Sequence, residues 1–152
     1  MAEGHPRAAG VRPVLRRSLA AAFPAAMFML SIGWPLVPRA FARATGFFLS
    51  LACHRMETRC LHMAWGVSGL CARCTFFWLG LAMAMILPQP SSRSRLRGAL
   101  TGMALLLPMM IDGALQYAGL YESTNPIRTA TGLLGGAGAS MAFRALLSAG
   151  SR

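Results

Sequence analysis

Apolar residues gather along this chain into four long runs, separated by short polar segments rich in arginine, glycine and proline. The first run extends from about Leu19 to Val37, the second from Cys71 to Pro88, the third from Gly98 to Gly119 and the fourth from Pro126 to Leu147. About 18 to 20 mostly apolar residues are what a helix needs to cross the hydrocarbon core of a bilayer. Pro24 and Pro35 are expected to bend the first run without preventing insertion. Between the first and second runs, Ala40 to Cys53 carries Phe41, Phe47, Phe48, Leu49 and Leu51 but is too short to span, so it reads as an interfacial or re-entrant helix. The expected architecture is therefore all-α. It is an integral membrane bundle of four transmembrane helices at 19–37, 71–88, 98–119 and 126–147, with a short interfacial helix before the second span. A single membrane domain, 19–148, follows an arginine-rich cytoplasmic head without fixed structure, 1–18, and precedes a short tail, 149–152.

Composition supports the membrane class. The 152 residues are 55% hydrophobic and 12% charged, with a mean hydropathy of +0.51, too apolar for an ordinary soluble domain of this length. Every basic residue is an arginine, and only Glu3, Glu57, Asp112 and Glu122 oppose them, which leaves a net charge of +11. These arginines stand at the ends of apolar runs rather than on one basic face, which argues against nucleic acid as a partner and for the lipid bilayer. Their distribution favours the cytoplasmic (inner) membrane, with both termini cytoplasmic and the 38–70 and 120–126 loops together on the outer side. A secretory signal is the competing reading of the first run. Its length, its two prolines and the lack of a clear cleavage site argue against removal.

The chemistry is concentrated in residues 53–74, which hold all four cysteines (Cys53, Cys60, Cys71, Cys74) and two of the three histidines, His54 and His62. Cys71 and Cys74 have the gap that lets one helical turn supply two metal ligands, and Cys53 with His54 or His62 could complete a zinc site. Adjacent Cys53 and His54 cannot easily point at one ion, so one of them could support the site from behind. The same residues also fit a thiol-disulfide oxidoreductase, with Cys71 as the exposed nucleophile at a helix N-terminus beside Arg73. Plain structural disulfides are the simplest case. Thr75, standing where a covalent haem site needs histidine, argues against that cofactor.

A second polar group lies further on. Asp112 and Gln116 share one helix face, and an acid inside a span usually faces a partner or a pathway. Glu122-Ser123-Thr124-Asn125-Pro126-Ile127-Arg128 opens the fourth run, with Asn125 suited to the N-cap and Pro126 to the first helical position. Arg128 can pair with Glu122 or Asp112, or reach to headgroups. Gly132, Gly136 and Ser140 recur every four residues, a stripe that lets another helix approach closely within the chain or in an oligomer. The eleven methionines read as packing.

The strings Cys53-His54-Arg55-Met56-Glu57-Thr58-Arg59, Cys71-Ala72-Arg73-Cys74-Thr75, Asp112-Gly113 with Gln116, and Glu122-Ser123-Thr124-Asn125 with Arg128 resemble a family of small prokaryotic predicted membrane proteins, a domain of unknown function. The resemblance runs from about Leu49 to Gly138. It implies an architecture and a residue set but no activity. Two positions depart from the family pattern, Phe76 in place of glycine and Cys60 in place of serine, so the family-like set is three cysteines and one histidine. The reading that follows is metal binding, with zinc held by Cys53, His54, Cys71 and Cys74. Arg59, Arg73 and Arg128, with Gln116, Ser123 and Asn125, are available for an anionic small molecule or lipid headgroup. Asp112 and Glu122 are the candidate catalytic acids if the protein is an enzyme. A membrane thiol-disulfide oxidoreductase and a small transporter or membrane-complex subunit are the alternatives.

Overall fold

The computed structural model describes residues 8–88 and 95–147. Five helices are present: α1 (Ala8–Ile32), α2 (Arg39–Ala52), α3 (Ala72–Ile86), α4 (Arg95–Tyr117) and α5 (Asn125–Leu147). An antiparallel hairpin, β1 (Cys60–Met63) and β2 (Gly66–Cys71), sits between α2 and α3. The all-α expectation is thus corrected by a two-stranded sheet. Its strands are short and its turn, Ala64-Trp65, lacks the Asn-Gly or Asp-Gly pair that marks a hairpin in sequence.

Four spans are also corrected. Among the described residues, Leu96–Tyr117 within α4 is the one segment long and apolar enough to cross a membrane. The apolar parts of α1 and α3 are shorter, Arg17–Ile32 and Ala72–Ile86. At 1.5 Å per residue α3 is roughly 22 Å long, short of a bilayer core of about 30 Å. It is cut at both ends by its neighbours. Cys71, the last residue of β2, is its N-cap, and Leu87 turns extended before Pro88. α5 has the length, but four glycines dilute its hydropathy and Arg128 and Arg144 stand near its ends. The head expected to lack structure is helical from Ala8, whereas residues 1–7, like the tail at 149–152, lie outside the described residues.

The helices pack in the order α1, α3, α5, α4, each against the next. Ser31 and Thr75, both buried, share a 2.7 Å hydrogen bond between α1 and α3. Glycines set the other two contacts. A Cβ on Gly132 or Gly136 of α5 would strike the backbone of α3 at Arg73 or Phe77, and one on Gly80 would strike α5 at Leu133. On a second face of α5, Gly138 and Gly102 of α4 bring those backbones together. The stripe Gly132, Gly136, Ser140 is therefore filled largely within the chain by α3. At the far end Arg144 Nη1 donates to the carbonyls of Ala84 (2.8 Å) and Leu87 (3.0 Å), closing the C-terminus of α3.

The hairpin closes the opposite end of the bundle. Met27, Leu49 and Leu70 form a small core there, with Trp34, Trp78, Cys53 and Cys74 packed around it. Between Cys60 and His62 the register slips by a bulge, and Ser68 Oγ compensates by accepting from the Leu61 N–H (2.9 Å) while donating to the Leu70 carbonyl (2.7 Å). Trp65 Nε1 reaches back to the Ile32 carbonyl at 3.2 Å and ties the turn to α1.

The glycine contacts are testable against a neutral position, since a Cβ on Gly98 meets nothing within 4 Å. Gly98→Ala should raise stability by up to ~1 kcal/mol by restricting the unfolded chain. Gly80→Ala has the same intrinsic gain but must displace a backbone carbonyl, and should lower stability by about 1–3 kcal/mol. Thermal unfolding of both variants in detergent micelles measures the difference.

Candidate functional site

The first turn of α3 faces two ways. Cys71 at the N-cap and Cys74 three residues later point toward the hairpin and the end of α2, while Arg73 between them points toward α5 and α4. Successive helical residues turn by about 100°, so this division follows from the spacing alone. Each side carries its own constellation.

On the first side, the sulfurs of Cys53, Cys71 and Cys74 lie within 4.8 Å of one another, close enough to hold a metal ion. Three thiolates on one tetrahedral ion with bonds of about 2.3 Å would be about 3.8 Å apart, so only a small contraction is required. All four cysteines are free thiols. Local backbone prepares the site: Arg55 adopts a left-handed conformation (φ 52°), and its N–H lies 3.5 Å from Cys53 Sγ. Its guanidinium stacks 4.3 Å over the Trp34 ring and donates to the Gly46 carbonyl at 3.2 Å, which fixes the turn. Hydrogen bonds from the Cys71 and Cys74 thiols hold Cys53 far below the usual thiol range, and the same contact with Cys53 pushes Cys71 up. The trio lies at the positive end of α3, which favours thiolate character in the cluster.

His54 does not join this group: its side chain is exposed and outside the three-sulfur cluster. An extended Cys53 sends the next side chain the other way. Cys60 also stays outside. It is paired across the hairpin with Cys71 but is buried, donates from Sγ to the Met56 carbonyl at 3.3 Å, and has its thiol pushed up by burial.

On the second side, Arg73 Nη2 forms an ion pair with Asp112 Oδ2, and reaches Gln116 Oε1 at 3.2 Å. Tyr121 donates to Asp112 Oδ1, and Thr131 lies 3.4 Å from Oδ2. Asp112 is 5% exposed, with both oxygens engaged. Tyr121 was not legible as a partner in the sequence. It lies nine residues past Asp112, beyond the helix, and is turned back by a Schellman end in which Gly119 (φ 69°) allows the Leu120 N–H to reach the Leu115 carbonyl at 3.1 Å.

The remaining candidates form a third group. α5 begins at Asn125, so Thr124 takes the cap position expected of Asn125 and accepts from the Arg128 N–H at 2.9 Å. The Asn125 side chain is used elsewhere. It donates to the Cys60 carbonyl at 3.2 Å and accepts from Arg128 Nη1 at 3.1 Å, joining the hairpin to α5. Arg59 Nη2 stands 3.9 Å from Glu122 Oε1. The 38–70 and 120–126 loops thus meet, and a cavity of about 260 Å³ lies between them, lined by Arg59, Ser123, Asn125 and Arg128 among others. Arg128 forms an ion pair with neither Glu122 nor Asp112.

Among the described residues the chain is mainly helical, with one helix both long and apolar enough to cross a membrane and a cysteine cluster at the bundle end. Residues 53–142 match the family DUF2085, described as predicted membrane protein, and the chain belongs to that family. The match takes in the cysteine cluster, the Arg73–Asp112 pair and the cavity. An uncharacterised protein of Methanocaldococcus jannaschii is 32% identical over 91 residues, covering 57% of this chain and 58% of that protein. An uncharacterised protein of Methanothermobacter thermautotrophicus is 31% identical over 98 residues, covering 62% of this chain and 86% of that protein. This chain spans less than two thirds of the first of these relatives. No solved structure matches it.

The buried pair gives a direct test. Asp112→Leu leaves Arg73 without its counter-charge and should cost about 3–5 kcal/mol, as should Arg73→Met. The double variant should recover most of that loss, because no buried charge is stranded. Tyr121→Phe should cost less, about 1.5–3 kcal/mol. Unfolding midpoints of the wild type, the two single variants and the double variant in one detergent close the cycle, with Tyr121→Phe measured beside them.

Proposed function

We propose that the protein is a membrane-bound metal-binding protein that holds zinc on Cys53, Cys71 and Cys74 in the cytoplasmic membrane. The observation that carries this reading is the convergence of three thiol sulfurs from two separate stretches of chain, Cys53 at the end of α2 and Cys71 with Cys74 where β2 runs into the first turn of α3. Zinc suits them because it is borderline-soft, prefers thiolates, and accepts tetrahedral geometry without demanding it. Three protein ligands leave one position for a water, a thiol or another small donor. The bound unit would carry one net negative charge, and the Arg55 N–H and the N-terminus of α3 are placed to stabilise it.

Protein purified without oxygen should contain about one zinc per chain. Cys53→Ser, Cys71→Ser and Cys74→Ser should each lose it, whereas His54→Ala and Cys60→Ser should retain it, as measured by elemental analysis with a parallel thiol count. Metal-free wild-type protein carrying a disulfide among the three cysteines would overturn the zinc reading in favour of dithiol exchange.

A further inference from the structure

The cavity between the two loops contains positive charge with little to balance it. Arg128 is 5% exposed, and among the described residues its one side-chain hydrogen-bond partner is Asn125 Oδ1. Its Nε is buried without a partner, and among the described residues no carboxylate lies within 4.0 Å of it. A buried guanidinium in that condition is costly unless an anion completes it. Ser123, 4% exposed, also lines the cavity wall. Opposite them, Arg59 has only the 3.9 Å contact with Glu122, whose side chain is 87% exposed and free to swing out. The positive end of the 23-residue α5 adds to the same field.

Two guanidiniums, a hydroxyl and a helix N-terminus fit a group with several acceptor oxygens and two negative charges. A single carboxylate would match one arginine and leave the other unsatisfied. We propose that this cavity binds a phosphate group with two ionisable oxygens, carried either by free phosphate or by a phosphomonoester lipid headgroup. Glu122 then acts as a mobile competitor that screens Arg59 until the anion enters. The site is separate from the three-cysteine cluster, to which it is joined through the hairpin at the Asn125–Cys60 contact.

The test uses the full chain in zwitterionic detergent with two probes: inorganic phosphate by titration calorimetry, and phosphatidic acid by co-sedimentation with phosphatidylcholine vesicles that contain or lack it. Binding of phosphate alone assigns the soluble source; binding selective for phosphatidic acid alone assigns the headgroup; either supports the proposal. Arg59→Gln should weaken whichever probe binds by about tenfold or more, and Glu122→Gln should tighten it a few-fold. Both side chains are partly exposed, so these variants test the site even if Arg128→Gln fails to fold. Failure of both probes to bind, or binding unchanged in both variants, would overturn the proposal.

Discussion

Close apposition of α3 and α5 is the constraint on which the rest of this structure depends. Glycines at 80, 132 and 136 remove the side chains that would otherwise separate the two backbones. With Gly132 against the carbonyl of Arg73, the arginine side chain passes α5 and reaches Asp112 on α4, a helix that packs mainly on α5. One small residue thereby links three helices through a buried charge pair. Without that approach the pair would be out of reach, and an acid and an arginine would each be stranded in apolar surroundings.

The same contact fixes the orientation of the cysteine turn. Because Arg73 is anchored toward α4, Cys71 and Cys74 are held on the opposite side of the first turn of α3, where Cys53 joins them. The hairpin then does double duty. Its last residue is both the N-cap of α3 and a member of the sulfur cluster, and the carbonyl of its first residue accepts from Asn125 at the start of α5. A three-sulfur cluster, a buried ion pair and a cationic cavity are consequently three faces of one bundle end. A shift of α5 along α3 would disturb all of them together.

Much of the site was legible because its residues have conspicuous chemistry. Cys53, Cys71, Cys74, Asp112, Ser123 and Asn125 stand out as thiols, an acid in an apolar run and a polar helix start. Partner choice was not legible. Arg73 rather than Arg128 takes Asp112, Arg59 takes Glu122, and Asn125 crosses to the hairpin instead of capping its own helix. Such choices depend on side-chain reach across elements, which spacing along one helix cannot report. The hairpin was missed for a related reason: its strands are four and six residues long and their turn has no glycine pair. The expectation of four spans failed for two reasons: capping and proline leave α1 and α3 with apolar stretches too short to cross, and α5, long enough, is diluted by its glycines.

By itself the sequence determined that the chain is mainly helical and membrane-like in composition, and that its reactive residues occupy two segments. Those properties follow from residue type and periodicity, which are local. Tertiary structure alone decided that Cys53 belongs with Cys71 and Cys74 while His54 and Cys60 do not, and that among the described residues a single helix has both the length and the hydropathy to span a bilayer. It also gave Arg73 a buried counter-charge and left the buried Arg128 without one. The physical reason is common to all three: a thiol, a helix end or a guanidinium acquires its role from groups distant in the chain, and their distances exist only once the glycine faces of α5 have closed on α3 and α4.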